Sequence, residues 1–178
     1  MTIKTFNINT DKTAFVRAYL PDSIAGLPFC EKRPAVLIFP GGGYEYCSDR
    51  EGEPIALQYL ALGYAAFVVT YSCNERFPEP LMDAAYIFYK IRMRAEEFKI
   101  DPQKMAVLGC SAGGHLAGCL ATMWSDIALT KTIGCEPEDL RPNAAILCYP
   151  VISGVTAPHE GSFKVLLGEE ASRSDLSR

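Results

Sequence analysis

The chain has 178 residues, of which 49% are hydrophobic, and its formal net charge is −4 at pH 7. This length and composition suit one globular domain with a buried core, and they exclude a disordered or fibrous chain. The lack of a basic run argues against nucleic acid as a partner, and no apolar run reaches the roughly 20 residues that a membrane-spanning helix needs.

Seven cysteines without a C-x-x-C pair indicate buried or free thiols rather than a disulfide framework. The N-terminal residues lack the apolar segment of a secretory signal, so we expect a cytoplasmic protein. Zinc is not expected, because the two histidines form no ligand spacing with the cysteines. We find no linker or repeat and predict one domain over residues 1–178.

Short apolar runs alternate with amphipathic segments along the chain. The predicted strands are residues 2–9 and 13–20, which form an antiparallel pair, then 35–39, 65–70, 105–108 and 144–149. The last four are apolar throughout, as in strands that are buried on both faces. One predicted helix begins near Pro54, a long one extends from Pro80 to about Phe98, one follows Ser111, and a short one lies near 163–167. This alternation predicts an α/β domain with a mostly parallel sheet and helices on both faces.

Two local signals concern the ends of these elements. Ser48–Glu51 has the S-x-x-E pattern of a capping box, and Pro54 lies early in the next helix. We therefore interpret Glu51 and Glu53 as helix-start residues rather than catalytic ones. Asp101 and Pro102 are expected to break the chain before the strand at 105–108.

The sequence Gly109-Cys110-Ser111-Ala112-Gly113 matches G-x-S-x-G and lies between an apolar strand and a helical pattern. A serine at such a sharp turn projects its hydroxyl above the sheet, and flanking glycines let the strand and the helix pack closely. The N-terminus of the helix then directs free N–H groups at the site where an oxyanion would form. This context predicts a nucleophile elbow with Ser111 at its tip.

A second motif, Pro40-Gly41-Gly42-Gly43-Tyr44, directly follows the predicted strand at 35–39. One interpretation is a plain flexible turn. The other is a loop whose backbone N–H groups approach a substrate oxygen, because glycine places no Cβ in the way.

Together the two motifs resemble those of α/β-hydrolase esterases of the acetyl-esterase, acetyl-xylan-esterase and feruloyl-esterase-like group. The shared stretches are PGGGY at 40–44, DREGEPIA at 49–56, IDP at 100–102 and GCSAGGHLA at 109–117. Hormone-sensitive-lipase-like esterases are also similar, although they usually have His where this chain has Pro40. The resemblance is specific for the fold and less so for the substrate, since this fold hosts many chemistries.

The resemblance implies that Ser111 is the nucleophile and that Gly42, Gly43 and Ala112 donate the oxyanion-hole N–H groups. Tyr44 either lines the substrate pocket or packs beside the loop. The implied reaction is hydrolysis of short-acyl or acetyl esters through an acyl-enzyme, with acetylated carbohydrate as a candidate substrate. It needs no metal or organic cofactor.

In this family the serine works with an Asp or Glu and a His as a catalytic triad, and these two partners are not evident in the sequence. In the family they follow the serine, after the seventh and eighth strands, whereas we count about six strands here. We therefore predict an incomplete α/β-hydrolase fold that lacks its C-terminal third, with an open sheet edge at 144–149 that favours self-association. His115 is expected to be structural. His159 is the local candidate for a base, although it lacks the context of a strand end.

Two alternatives stay open at this point. The chain is either catalytic or a non-catalytic α/β module that binds small esters or a partner. The absence of a catalytic acid and base is the feature that distinguishes the second hypothesis from the first. A serine peptidase of the same fold is the third possibility, and amidase activity beside esterase activity would identify it.

Overall fold

The computed structural model describes residues 1–7, 14–24, 30, 32–156 and 158–171. Its strands are β1 (Thr2–Asn7), β2 (Phe15–Leu20), β3 (Arg33–Phe39), β4 (Ala65–Thr70), β5 (Ile100–Cys110) and β6 (Ala144–Cys148). Its helices are α1 (Glu53–Ala61), α2 (Glu79–Met93), α3 (Ala95–Phe98), α4 (Ala112–Met123), α5 (Ile127–Ile133), α6 (Pro137–Leu140) and α7 (Glu160–Leu167). A short 3-10 helix (Asp49–Glu51) precedes α1. Within these described ranges, every helix is too short or too polar to cross a membrane.

The six strands form one sheet in the order β1-β2-β4-β3-β5-β6. β1 with β2, and β2 with β4, are antiparallel, whereas β3, β4, β5 and β6 pair in parallel. The predicted antiparallel pair and the mostly parallel sheet are therefore confirmed, although residues 8, 9 and 13 of the predicted strands lie outside the described residues. The loops after β3, β5 and β6 leave the same edge, where ligands bind in such sheets.

Helices cover both faces of the sheet, as predicted. On one face, Val36 and Ile38 of β3 pack in a cluster with Ala56 of α1. On the other face, Leu37 and Phe39 join a larger core with residues of α2 and α4. The alternation follows from the two-residue period of a strand, and it makes β3 apolar on both faces.

The predicted boundaries are wrong by several residues at β5, and the long helix predicted from Pro80 is not continuous. The strand before Ser111 begins at Ile100 rather than Met105, so Asp101 and Pro102 lie inside it. The ladder from β3 to β5 pairs Arg33 with Ile100 and then Ala35 with Met105, so Pro102 lies at an irregularity where its missing N–H removes no ladder bond. The predicted helix from Pro80 to Phe98 is divided at Arg94 into α2 and α3.

The predicted capping box does not form. Ser48 makes no side-chain cap bond, and α1 begins at Glu53 after Gly52. The Glu51 carboxylate accepts a hydrogen bond from the Gly41 N–H instead, at 2.7 Å. The Glu51 side chain therefore binds the glycine loop and does not cap the helix start at Ser48.

β6 is an edge strand and is not buried on both faces, which corrects the prediction for 144–149. Residues Ala144–Leu147 are all exposed, with Leu147 at 40%. β6 pairs with β5 alone, and α4 packs against one of its faces. In the described chain no strand pairs with the outer edge, and on the other face only Cys148, at the end of β6, packs against the cluster that contains Ala56.

Candidate active site

The turn between β5 and α4 places Ser111 in a strained backbone conformation, with φ 51° and ψ −118°. A residue with a Cβ persists in this region only where its surroundings hold it there. The Ser111 N–H donates to the Cys148 carbonyl at 3.0 Å, and the Val151 N–H donates to the Ser111 carbonyl at 3.1 Å. The segment that leaves β6 therefore holds the serine in its turn.

Close backbone contacts explain the glycines on either side of this serine. A Cβ on Gly109 would lie 2.0 Å from the Gly113 carbonyl oxygen. A Cβ on Gly113 would lie 2.1 Å from the carbonyl oxygen of Phe39, the last residue of β3. Only glycine fits such approaches, and they bring the N-terminus of α4 directly against the end of β3.

The glycine loop after β3 lies against the serine. A Cβ on Gly41 would lie 2.9 Å from the Ser111 Cβ and 2.7 Å from the Cys110 carbonyl oxygen. Gly42 and Gly43 have φ values of 133° and 67°, which glycine adopts without strain. The structure thus brings together the two segments that contain Gly42, Gly43 and Ala112, the residues predicted to form an oxyanion hole.

Hydrogen bonds from neighbouring segments fix the glycine loop. The Tyr71 hydroxyl donates to the Pro40 carbonyl at 2.7 Å, and the Asn74 N–H donates to the Tyr44 carbonyl at 2.7 Å. The Ser48 N–H donates to the Gly41 carbonyl at 2.8 Å. Burial raises the pKa of Tyr71 well above its ordinary value, so its hydroxyl remains a donor at neutral pH. The loop is therefore preorganised, as an oxyanion site requires.

The buried Tyr44 of the glycine loop forms a pair with the half-buried His115 of α4. Tyr44 is 2% exposed, and its hydroxyl lies 2.7 Å from Nδ1 of His115. The His115 ring also packs edge-on against Phe163, with the ring centroids 5.7 Å apart. Burial lowers the pKa of His115, so its imidazole is neutral at pH 7. The pair packs α4 and α7 against the end of the glycine loop.

His159 lies at the N-terminus of α7 and is exposed. Its Nδ1 accepts from the Ser162 N–H at 3.3 Å and lies 2.9 Å from the Ser162 Oγ. Ser162 is buried, and its Oγ lies 3.7 Å from the position of a Cβ on Gly43. α7 therefore begins beside the glycine loop, but neither imidazole ring is hydrogen-bonded to Ser111, which meets His115 only through the backbone bond from the His115 N–H to the Ser111 carbonyl at 3.0 Å.

Two residues of this site were missed by sequence reasoning. Glu51 Oε2 accepts from the Gly41 N–H, and its Oε1 accepts from the Tyr149 hydroxyl at 2.8 Å. This bond raises the pKa of Tyr149 well above its ordinary value. Tyr149 had a usable signal, because it follows a strand whose carboxyl end meets the same sheet edge as Ser111.

The residues suited to metal binding do not cluster. In the ranges that the structure describes, no group of three or more His, Cys, Asp or Glu side chains is placed to hold an ion. A cavity of about 610 Å³ borders the loop at Pro40 and Ser48, and its walls include Arg17 and Glu53 but not Ser111. This cavity lies apart from the serine.

The sheet order, the strand-to-helix elbow at Ser111 and the glycine loop at the neighbouring strand end place the chain in the α/β-hydrolase class, with an incomplete sheet. Residues 27–155, more than half of the chain, match the BD-FAE family. The chain belongs to the BD-FAE family.

Several known proteins with similar sequences or structures are hydrolases. An acetylxylan esterase of Xylanibacter ruminicola is 32% identical over 173 residues, which is 93% of this chain and 31% of that protein. The crystal structure of MGS-M1, an α/β-hydrolase enzyme from a Medee basin deep-sea metagenome library, is 44% identical with a TM-score of 0.73, and the match covers 85% of this chain and 57% of that one. An acetyl ester-xyloside bifunctional hydrolase from Caldicellulosiruptor lactoaceticus is 34% identical with a TM-score of 0.77, covering 95% and 60%.

The matches cover nearly all of this chain but only part of each relative. The chain spans 24% and 31% of the first two curated relatives and 57% and 60% of the first two solved structures. This coverage fits the prediction of an incomplete α/β-hydrolase fold.

Proposed function

We propose that these residues form the nucleophile and oxyanion half of a serine carboxylic-ester hydrolase. The observation that carries the proposal is the position of Ser111, at a strained turn with φ 51° and in direct contact with the glycine loop. Strain at such a turn is retained where it serves a site, and here it presents the serine side chain at the edge where ligands bind.

The proposed reaction follows from this placement. Ser111 Oγ forms a bond to the ester carbonyl carbon while its proton passes to a base, and the carbonyl oxygen becomes an oxyanion. The N–H groups of Gly42, Gly43 and Ala112 stabilise that charge, and the alcohol leaves with a proton. Water then hydrolyses the acyl-enzyme and restores the serine.

The mechanism also needs a general base that accepts the Ser111 proton. The His115 ring is hydrogen-bonded to Tyr44 and the His159 ring to Ser162, so neither imidazole is bonded to the Ser111 hydroxyl. We propose that the base comes from the part of the fold that the longer relatives have and this chain does not span, with His159 as the local alternative. If neither supplies a base, the chain is a non-catalytic module.

For the substrate, we propose short-acyl esters and in particular acetyl groups on carbohydrate. Support comes from the relatives described above, one an acetylxylan esterase and the other an acetyl ester-xyloside bifunctional hydrolase. We also propose a cytoplasmic location, since all seven cysteines are free thiols.

The test is hydrolysis of p-nitrophenyl acetate by the chain, with Ser111→Ala as its control. Turnover that depends on Ser111 supports the hydrolase, and loss of that turnover in His159→Ala identifies His159 as the base. Equal rates at background level for wild type and Ser111→Ala would contradict catalysis by this chain alone. A matching p-nitroanilide substrate separates the esterase from a peptidase.

A further inference from the structure

The carboxylate of Glu51 joins two segments that are remote in sequence. Its Oε2 accepts from the Gly41 N–H at 2.7 Å, and its Oε1 accepts from the Tyr149 hydroxyl at 2.8 Å. Both bonds have an ionised acceptor, and such bonds are shorter and stronger than neutral ones. Each oxygen therefore holds one donor, one in the glycine loop and the other in the segment after β6.

The first donor lies where the glycine loop leaves β3. A Cβ on Gly41 would lie 2.8 Å from Glu51 Oε2 and 2.9 Å from the Ser111 Cβ, so the carboxylate, the loop and the serine share one corner. The Gly41 N–H belongs to the Pro40–Gly41 peptide plane, at the point where the chain passes from β3 into the glycine loop. Fixing that plane restrains the start of the loop and so limits the positions that the Gly42 and Gly43 N–H groups take.

The second donor lies where the chain leaves β6. Tyr149 is 65% exposed and has φ 37°, so packing alone does not hold it. Its neighbours Cys148 and Val151 bond to the backbone N–H and carbonyl of Ser111. Restraint of the Tyr149 side chain therefore restrains the backbone that keeps Ser111 in its turn.

We propose that Glu51 is a positioning residue, which holds the oxyanion donors of the glycine loop and the hydroxyl of Ser111 at a fixed separation. Glu51 acts through Gly41 and Tyr149 and does not touch the substrate. The effect on catalysis rests on the proposed ester hydrolysis, whereas the effect on the position of the loop does not.

Glu53 provides a matched control, because it is a carboxylate two residues further along. Glu53 makes neither of the two Glu51 bonds, to the Gly41 N–H and to the Tyr149 hydroxyl. It accepts instead from the Tyr19 hydroxyl at 2.6 Å and lies 3.9 Å from Arg17. Glu53→Ala therefore removes an equivalent charge from the same stretch of chain without releasing the glycine loop.

Hydrogen exchange tests the positioning without any need for turnover. In Glu51→Ala, we expect amides of residues 41–46 to exchange at least about tenfold faster, while β3 and β5 amides keep their protection. Glu51→Gln keeps most of the protection, because its amide oxygen still accepts from Gly41. Unchanged exchange in Glu51→Ala, or an equal change in Glu53→Ala, would overturn the proposal.

A spectroscopic signature covers the case in which Glu51→Ala does not fold. The Gly41 amide proton of the wild type is expected downfield, because it donates to a charged acceptor, and it moves upfield in Glu51→Gln. An identical Gly41 resonance in wild type and Glu51→Gln would contradict the bond.

The catalytic consequence is measured with p-nitrophenyl acetate. We expect Glu51→Ala to lower kcat about tenfold or more with little change in KM, because loop position matters most in the transition state. Glu51→Gln recovers most of kcat, and Glu53→Ala keeps it. Equal rates in wild type and Ser111→Ala refute the proposed function, whereas wild-type kcat in Glu51→Ala refutes the catalytic role of Glu51.

Discussion

Strands β3 and β6 are similarly apolar and run in parallel in the same sheet, yet they have opposite surroundings. Residues 35–39 of β3 are all 0% exposed, whereas Ile146 and Leu147 of β6 are 36% and 40% exposed. β3 lies between β4 and β5, while β6 has β5 on one side and nothing described on the other. Apolar composition therefore makes both segments strands, but only the position in the sheet decides which one is buried.

The same asymmetry divides the candidate site. On the β3 side, the glycine loop is held by Tyr71, Asn74 and Ser48 and lies against the core. On the β6 side, Tyr149 and Ile152 are 65% and 60% exposed. The glycine-loop side of the candidate site is thus held by the core, whereas the side after β6 is open to solvent.

The largest expected effect compares two glycines of α4. A Cβ on Gly113 would lie 2.1 Å from the Phe39 carbonyl on the β3 side, whereas a Cβ on Gly118 would lie 3.7 Å from Leu147 Cδ1 on the β6 side. We expect Gly113→Ala to reduce the free energy of unfolding by more than about 4 kcal/mol or to prevent folding. Gly118→Ala should raise it by about 0.5–1 kcal/mol through helix propensity. Urea unfolding measures both, and similar values would contradict the asymmetry.

Truncation of one leucine in each strand has the next largest effect. We expect Leu37→Ala in β3 to cost about 2–5 kcal/mol, because it leaves a cavity in a fully packed core. Leu147→Ala in β6 should cost less than about 1 kcal/mol, since solvent already reaches the side chain. Equal shifts of the urea midpoint at constant m-value would show that β6 is covered in solution.

The open edge itself predicts self-association. We propose that copies of the chain associate through β6, since unpaired strand edges with apolar side chains template further pairing. Leu147→Lys is then expected to raise the dimer dissociation constant at least about tenfold in sedimentation equilibrium. Leu57→Lys on α1 is the control, because Leu57 is 41% exposed but lies away from the edge. A monomeric wild type, or equal effects of the two variants, would contradict the proposal.

The smallest effect concerns pH and the enclosed side of the site. Burial lowers the pKa of His115 below its ordinary 6.5, so the unfolded chain binds more protons than the folded chain below that pH. Stability is therefore fully present above about pH 6.5 and falls as the pH decreases toward the folded pKa, by at most about 1.4 kcal/mol per pH unit.

Urea unfolding between pH 7 and pH 5 tests this expectation. His115→Gln should lose this part of the pH dependence. Tyr44→Phe should keep it, because the shift comes from burial and not from the tyrosine hydroxyl. The same slope in wild type and His115→Gln would contradict the assignment to His115.

Local patterns were sufficient for most elements and for the serine turn. The run at 65–70 became β4 with the predicted bounds, and the helix after Ser111 begins at Ala112. Both depend on residues within a few positions of each other, which periodicity and turn chemistry report well. The capping box at Ser48 also used local logic, and it failed because Gly41, ten residues earlier, binds the Glu51 carboxylate.

The sequence by itself determined the alternation of strands and helices, the sharp turn at Ser111 and the glycines that allow close backbone approach. Only the tertiary structure decided that β6 is exposed and that Glu51 binds both Gly41 and Tyr149, the second of which lies 98 residues further along the sequence. The physical reason is the distance along the chain over which each effect acts. Propensity and periodicity act over one or two turns of chain, whereas burial and the partner of a carboxylate depend on which distant segments the sheet order brings together.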